Sequence, residues 1–181
     1  MKKIILAIGI LLVFQFSSAQ TEISGVTPAK TIEVNSTTLN FNGASLREKF
    51  FLYLYVGALY STTKTNDSKV VIDKDESMAI TLDIVSSLIT SEKMLTAIGE
   101  GFDNSTNQNT NPFTAKIALF KSSFKEEIKI GDHYVIEFIK DSGTEIHKNG
   151  KKITTIPGLD FKKVLFEIWF CDEPADKDLM E

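Results

Sequence analysis

Arg47 is the one arginine among 20 basic residues, and it stands just before the most aromatic segment of the chain, residues 49–60. A guanidinium presents a planar fork of donors that grips a carboxylate with two hydrogen bonds, which an ammonium does less well. Tyr55 and Tyr60 lie in that segment, and a phenol buried in a strand needs a hydrogen-bond partner. These residues predict an anion site with Arg47 as anchor and Tyr55 or Tyr60 as second donor. The alternative is a surface arginine paired with Glu48 or another acid.

The spacing of these residues sets a condition on the anion site. A straight strand separates Arg47 from Tyr60 by about 43 Å at 3.3 Å per residue. Both side chains can contact one ligand head only if the chain bends near residues 45–49 or a bulge at Gly57 redirects it.

Other residue types give weaker signals. His133 and His147 are the only histidines, and no Cys or His cluster has the spacing of metal ligands, so no metal site is expected. Cys171 has no basic residue nearby in sequence and is interpreted as a small packing residue. The chain has no G-x-S-x-G elbow and no phosphate-binding glycine loop, so neither a serine hydrolase nor a cofactor is expected.

The N-terminus predicts export. Lys2 and Lys3 precede an apolar run at residues 4–16, and small residues stand before Gln20 as in a cleavage site. The run falls short of the roughly 20 residues that span a bilayer. We therefore expect a signal peptide at residues 1–19, one mature domain at residues 20–181 without a transmembrane segment, and a periplasmic or secreted location.

Composition favours one packed, acidic globule. The chain has 24 acidic residues and 20 basic ones, two of which are in the leader, so no nucleic-acid partner is expected. Thirteen phenylalanines and a 43% apolar fraction indicate a substantial core. The single cysteine excludes an internal disulfide.

Periodicity and turn residues predict an α+β fold with an antiparallel sheet. Strands are expected within residues 31–41 around a polar turn, at 49–60 with both faces buried, at 78–85, at 133–140, and in a hairpin about Asn149-Gly150. Asn42-Gly43 is interpreted as a further turn. Amphipathic helices are expected from a cap at Ser91, behind Asn111-Pro112, and over residues 160–170.

Three stretches together, residues 42–60, 143–161 and 165–179, resemble the chalcone isomerase-like family, specifically its bacterial exported branch. The resemblance rests on the G-x-x-x-R-x-K-F-F, I-P-G-x-D-F and I-W-x-x-D-x-P elements in this order. It implies an open-faced β-sandwich, in which helices cover a curved antiparallel sheet and leave a cleft between the layers. Plant enzymes of the superfamily cyclise a chalcone there, and non-catalytic relatives hold a fatty acid whose carboxylate meets an arginine and a tyrosine. Arg47 matches that arginine and Tyr60 that tyrosine, while Tyr55 stands where the plant enzymes have a threonine.

Departures from the plant pattern bear on function. The plant enzymes add a lysine, a tyrosine and an asparagine around the passage equivalent to residues 78–100, which here contains neither tyrosine nor asparagine. Lys93 lies in a predicted helix and is not equated with the catalytic lysine. The leading hypothesis is therefore an exported protein that binds a small amphipathic acid such as a fatty acid. The alternatives are an intramolecular lyase or isomerase that uses Arg47 to stabilise an oxyanion, and a scaffold whose cleft is closed.

Overall fold

A computed structural model describes residues 22–49 and 52–170 of the chain. The leader at residues 1–19, the cleavage point before Gln20, Cys171 and the end of the chain lie outside these residues. The predictions made for them stay predictions.

Within the described residues, seven antiparallel strands form one curled sheet in sequence order, so each strand pairs with its neighbours in the chain. The strands are β1 (Thr31–Val34), β2 (Thr37–Lys49), β3 (Leu52–Ser61), β4 (Met78–Ile84), β5 (His133–Ile139), β6 (Gly143–Lys148) and β7 (Lys151–Ile156). Four helices accompany the sheet: α1 (Ser68–Asp73), α2 (Ser91–Ser105), α3 (Thr114–Ser122) and α4 (Leu159–Phe170). The α+β class and the curved antiparallel sheet covered by helices are confirmed. Among the helices described, none has the length and apolar character needed to cross a membrane.

The two faces of the sheet bury different clusters. The inner face packs against the helices and contributes Leu59, Ile80 and Ile136 to a core filled by aromatic side chains of α2, α3 and α4. The outer face, opposite the helices, buries a smaller cluster that includes Val34, Leu39, Ala58, Tyr60 and Ala79. Because successive side chains of a strand alternate between faces, β3, β4 and β5 contribute to both clusters. β1 and β2 contribute only to the outer cluster, and β6 and β7 only to the inner core.

The strand predictions are confirmed in the centre of the sheet. The strand predicted at residues 49–60 begins only at Leu52, because Lys49 is the end of β2. β3 is buried on both faces from Tyr55 to Ser61, as its apolar run indicates, but Tyr53 is 55% exposed. Asn149 (φ 51°) and Gly150 (φ 78°) make the turn between β6 and β7. Both residues have the positive φ that a two-residue type I′ hairpin turn requires, which is why Asn-Gly is a strong signal for it.

The turn predicted at Asn42-Gly43 is wrong. Both residues lie inside β2, where the pairing register with β3 shifts between Phe41 and Gly43. The Asn42 side chain accepts a hydrogen bond from the Thr65 amide and donates one to the Thr65 carbonyl, both at 2.8 Å. A glycine beside an extra unpaired residue is typical of a β-bulge, so the same residues produce a bulge instead of a chain reversal.

The helix predictions need two corrections. The cap of α2 is Thr90, whose hydroxyl accepts from the Lys93 amide, whereas the Ser91 hydroxyl donates to the Phe124 carbonyl at 2.5 Å. α1 was not expected at all, because six residues are too few to show helical periodicity. A buried ammonium meets its C-terminal end: Lys162 of α4 donates to the carbonyls of residues 71, 72 and 74.

Candidate functional site

Arg47 and Tyr55 are directly opposed on neighbouring strands, β2 and β3. Opposed residues of an antiparallel pair project from the same face, and Tyr55 belongs to the core of the inner face. Its phenol oxygen accepts a hydrogen bond of 3.2 Å from the indole Nε1 of Trp169 on α4. Arg47 is therefore the cross-strand neighbour of Tyr55, whose contact with Trp169 joins the sheet to the helical layer.

The guanidinium of Arg47 makes no ion pair or hydrogen bond with any residue in the described ranges 22–49 and 52–170. The side chain is half-buried. The pairing with Glu48 that a surface arginine would make is therefore not found. A half-buried cation that has no such partner among the described residues, beside a phenol, is suited to bind an anion.

Tyr60 lies on the outer face, away from Arg47. It pairs with Phe41 of β2 and Ala79 of β4 and packs in the outer cluster. Tyr60 follows Tyr55 by five positions, and this odd spacing turns the two side chains to opposite faces of the strand. Because β2 and β3 are antiparallel, the distance from Arg47 to the tyrosines is shorter than along a straight strand. The structure nevertheless brings only Tyr55 next to Arg47.

Burial raises the pKa of the Tyr60 phenol to about 12, and the negative charge of Asp83 acts in the same direction. A hydrogen bond with the Ala29 backbone opposes the rise in this pKa only in part. Tyr60 is therefore a neutral phenol throughout the physiological range.

An outer cavity of about 460 Å³ opens next to Tyr60. The segment at residues 26–29 and the start of β1 form one wall, and strands β3 to β6 form its floor. The side chains with ionisable groups that line it are Glu33, Tyr60, Asp83, His133, Glu137 and His147. No lysine or arginine is among the lining residues, so the outer cavity favours cations over carboxylates.

Both histidines of the chain meet carboxylates in the outer cavity. His133 Nδ1 lies 2.7 Å from Asp83 Oδ1, across the β4–β5 pair. His147 Nε2 lies 2.8 Å from Glu137 Oε1 and 3.4 Å from Glu145 Oε2. His133 begins the strand predicted at residues 133–140 and His147 lies in the predicted hairpin, but the sequence did not predict their carboxylate partners.

Charge and burial act against each other at the two glutamates. Burial raises the pKa of Glu137, the positive charge of His147 opposes this, and the negative charge of Glu145 adds to it. Burial also acts to raise the pKa of Glu145, but the Lys152 ammonium, 2.5 Å from Glu145 Oε1, holds it below the usual range. Glu137 is thus the carboxylate whose charge is least compensated.

The model of the chalcone isomerase-like family matches residues 20–181. The chain belongs to the chalcone isomerase-like family. The resemblance carried by the three sequence stretches is thereby confirmed.

Among solved structures, the chain is similar to a fatty-acid binding protein of Arabidopsis thaliana. The two share 15% sequence identity with a TM-score of 0.66, over 87% of this chain and 92% of that one. At this identity the similarity establishes the fold alone. Comparison with curated protein sequences gives no significant match.

Lys93 has a structural role in this member of the chalcone isomerase-like family. It lies in α2, and its ammonium donates to the Leu88 carbonyl at 3.0 Å. The contact ties the helix to the loop that precedes it.

The Asp83–His133 pair makes stability depend on pH. The hydrogen bond to Asp83 raises the pKa of His133 above its ordinary value of 6.5, although burial opposes it. A raised pKa of a base in the folded state stabilises the fold fully below the unfolded value and loses that effect as pH rises through the folded value. We therefore expect the pair to stabilise the protein below pH 6.5 and to contribute less above it.

An NMR titration of the two histidine rings tests this expectation. His133 should titrate above 6.5 in the wild type, and its pKa should fall in Asp83→Asn. The ring of His147 serves as the internal control, because its carboxylate partners are unchanged. A His133 pKa that Asp83→Asn leaves unmoved would show that the pair has no electrostatic effect.

Proposed function

We propose that this protein is exported and binds a small amphipathic carboxylate, such as a fatty acid, at the inner face of the sheet. Arg47 would hold the carboxylate through two charge-assisted hydrogen bonds, and the apolar tail would lie along the layer between β3 and α4. The observation that carries the proposal is Arg47 beside Tyr55 with no ion pair or hydrogen bond to any described residue. Membership of the chalcone isomerase-like family and the similarity to a fatty-acid binding protein support it.

Charge distribution supports the inner face over the outer cavity. The outer cavity is lined by three carboxylates, Glu33, Asp83 and Glu137, and by no lysine or arginine. A fatty-acid carboxylate would be repelled there, whereas the guanidinium of Arg47 offers it a partner on the other face. We therefore assign the second hydrogen bond to the ligand carboxylate to Tyr55, on the inner face of β3, and give Tyr60 no part in ligand binding.

The surroundings of Tyr55 suit an apolar tail. Its neighbour on β4 is Ile84, and Ile168, Trp169 and Phe170 of α4 belong to the same buried cluster. Apolar walls with one or two polar groups at the mouth are typical of sites for amphipathic ligands.

The binding proposal is tested by titrating a long-chain fatty acid into the delipidated protein. Trp169 is the one tryptophan of the chain and touches Tyr55, so its fluorescence reports events at the proposed site. We expect Arg47→Ala to weaken binding by about tenfold or more, because a hydrogen bond to a charged group contributes about 1.5–3 kcal/mol. Tyr55→Phe should weaken it by a smaller factor.

Tyr60→Phe is the matched control, since it removes the same hydroxyl from the same strand on the opposite face. Its fatty-acid affinity should equal that of the wild type. Equal affinities of Arg47→Ala and the wild type would refute the anchor. Loss of binding in Tyr60→Phe but not in Tyr55→Phe would place the ligand on the outer face.

Native mass spectrometry of the protein isolated from its native cells tests both parts of the proposal, lipid binding and export. The wild type should carry a lipid of fatty-acid mass, and Arg47→Ala should not. The polypeptide mass should correspond to a chain that begins at Gln20. A chain that retains residues 1–19 would contradict export by signal cleavage. The lipid-binding result would stand in either case.

A further inference from the structure

Glu137, Glu145 and His147 form a cluster of possible metal ligands on the outer face. Glu137 and Glu145 are direct partners across the β5–β6 pair, and His147 follows Glu145 by two residues on the same face. The three ligand atoms all lie within 4.8 Å of one another. The cluster is therefore fixed by the register of two neighbouring strands inside the sheet.

The distances within the cluster fit ligands that share one ion. For zinc bound at about 2.1 Å, neighbouring ligand atoms lie about 3.0 Å apart at a right angle and about 3.4 Å apart at a tetrahedral angle. The observed separations from His147 Nε2 are 2.8 Å to Glu137 and 3.4 Å to Glu145. Among the described residues, the buried Nε2 atom nevertheless has no well-aligned hydrogen bond. Two carboxylate oxygens thus lie close to Nε2, but neither is aligned to accept a hydrogen bond from it. This is the arrangement expected of an imidazole nitrogen and two carboxylates that share one metal ion.

The surroundings leave room for an ion and a further ligand. Glu137 and His147 line the outer cavity, and the exposed fractions of the Glu137 and Glu145 side chains are only 12% and 14%. Lys152 occupies Oε1 of Glu145, whereas the oxygen nearer His147 is Oε2. One oxygen of each carboxylate and the histidine nitrogen can therefore meet, with the cavity open on the remaining side.

We propose that Glu137, Glu145 and His147 bind a divalent transition-metal ion, with Zn²⁺ preferred, and that its open coordination position faces the outer cavity. An imidazole with two carboxylates suits Zn²⁺ better than Mg²⁺ or Ca²⁺, which prefer oxygen ligands alone. Three protein ligands with a fourth position left to water or a small ligand is the arrangement of accessible zinc sites. This site is separate from the proposed fatty-acid site, because the two lie on opposite faces of the sheet.

Isothermal titration calorimetry of the metal-free, untagged protein with Zn²⁺ tests the proposal. The wild type should bind one Zn²⁺ per chain, more tightly than Mn²⁺ and far more tightly than Mg²⁺, following the general order of divalent affinities. Glu137→Gln and His147→Gln keep the side-chain size nearly constant and should each lower Zn²⁺ affinity at least about tenfold, since even indirect partners of a metal contribute 10- to 100-fold. Lys152→Met should raise it, because it removes the ammonium that competes for Glu145.

His133→Gln is the matched control, since it removes the other histidine of the same cavity and should leave the Zn²⁺ affinity unchanged. Circular dichroism of each variant identifies any that has lost its fold. Failure of the wild type to bind Zn²⁺, or equal binding by the folded Glu137→Gln and His147→Gln variants, would overturn the proposal. Loss of Zn²⁺ binding in His133→Gln would overturn it as well, by moving the ion to the Asp83 pair.

Discussion

Lys162→Met is expected to lower the free energy of unfolding by about 3 kcal/mol. Lys162 is fully buried, and its ammonium donates to the carbonyls of Val71, Ile72 and Lys74 at the end of α1. Methionine fills the volume but donates nothing, and each buried carbonyl left without a partner costs about 1–3 kcal/mol. Relief from burying a charge offsets part of this loss.

The lowered pKa of Lys162 sets the size of that relief. Burial lowers the pKa of the ammonium to about 8, and the nearby charge of Lys163 acts in the same direction. A shift from 10.5 to about 8 corresponds to about 3 kcal/mol, less than three unpaired carbonyls can cost. A base with a lowered pKa in the folded state gains stability as pH rises from 8 toward 10.5, because the unfolded chain then holds more protons. The wild type should therefore exceed Lys162→Met by a larger margin at pH 9 than at pH 7.

Urea denaturation at both pH values measures the effect, with Lys163→Met as the matched control. Lys163 is the next residue, 40% exposed, and pairs with Asp73 at 3.0 Å on the surface. An exposed pair of this kind contributes no more than about 1 kcal/mol. If Lys162→Met were as stable as the wild type, the three hydrogen bonds would do no more than compensate the burial of the ammonium.

Local signals in the sequence predicted the elements that depend on local chemistry. The hairpin about Asn149-Gly150 follows from turn residues with positive φ, and the buried strand β3 follows from an uninterrupted apolar run. α4 carries its buried side chains on one face of a regular helix. None of these needs a distant residue to be recognised.

Elements that depend on distant contacts were not predicted. α1 has six residues, and its last carbonyls are satisfied by Lys162 from about 90 positions further along the chain. The bulge at Asn42-Gly43 is stabilised by hydrogen bonds to Thr65, on the loop beyond β3. Sequence spacing indicates an irregularity at Asn42 but does not tell a bulge from a turn, because the deciding partner is elsewhere.

Some residues of the candidate sites are related by their spacing along one strand, and others come together only through the register between strands. The odd spacing of Tyr55 and Tyr60 on one strand places them on opposite faces, although the sequence pattern had left either of them as partner of Arg47. The even spacing of Glu145 and His147 places those two on one face. The pairing of Arg47 with Tyr55 required the register of β2 against β3, which shifts immediately after Arg47. Glu137 joins the histidine only through the β5–β6 register. The spacing of Cys and His alone gives no sign of this cluster, because two of its three possible ligands are carboxylates.

Gly143→Ala is expected to destabilise the protein by about 3 kcal/mol or more. Gly143 begins β6 at φ +124°, a conformation that other residues adopt only at a cost of about 1–3 kcal/mol. A Cβ here would also stand 2.4 Å from the Ile156 carbonyl oxygen and 2.8 Å from the Pro157 Cα. Both contacts are with backbone, so no side-chain rotation relieves them and the end of β7 has to move.

Gly131→Ala separates the effect of the positive φ from that of the clash of the added Cβ. Gly131 also has a positive φ, at +86°, but a Cβ there meets nothing within 4 Å. It should cost about 1–2 kcal/mol, the usual penalty of a left-handed conformation in an L-residue. Gly143→Ala should also alter Trp169 fluorescence, since residues 156–158 lead directly into α4, which brings Trp169 to Tyr55. Thermal or urea unfolding of the two variants gives the first quantity, and emission spectra of the folded variants give the second. Equal destabilisation by both substitutions would show that φ alone matters at Gly143 and that the close approach to Pro157 is readily relaxed.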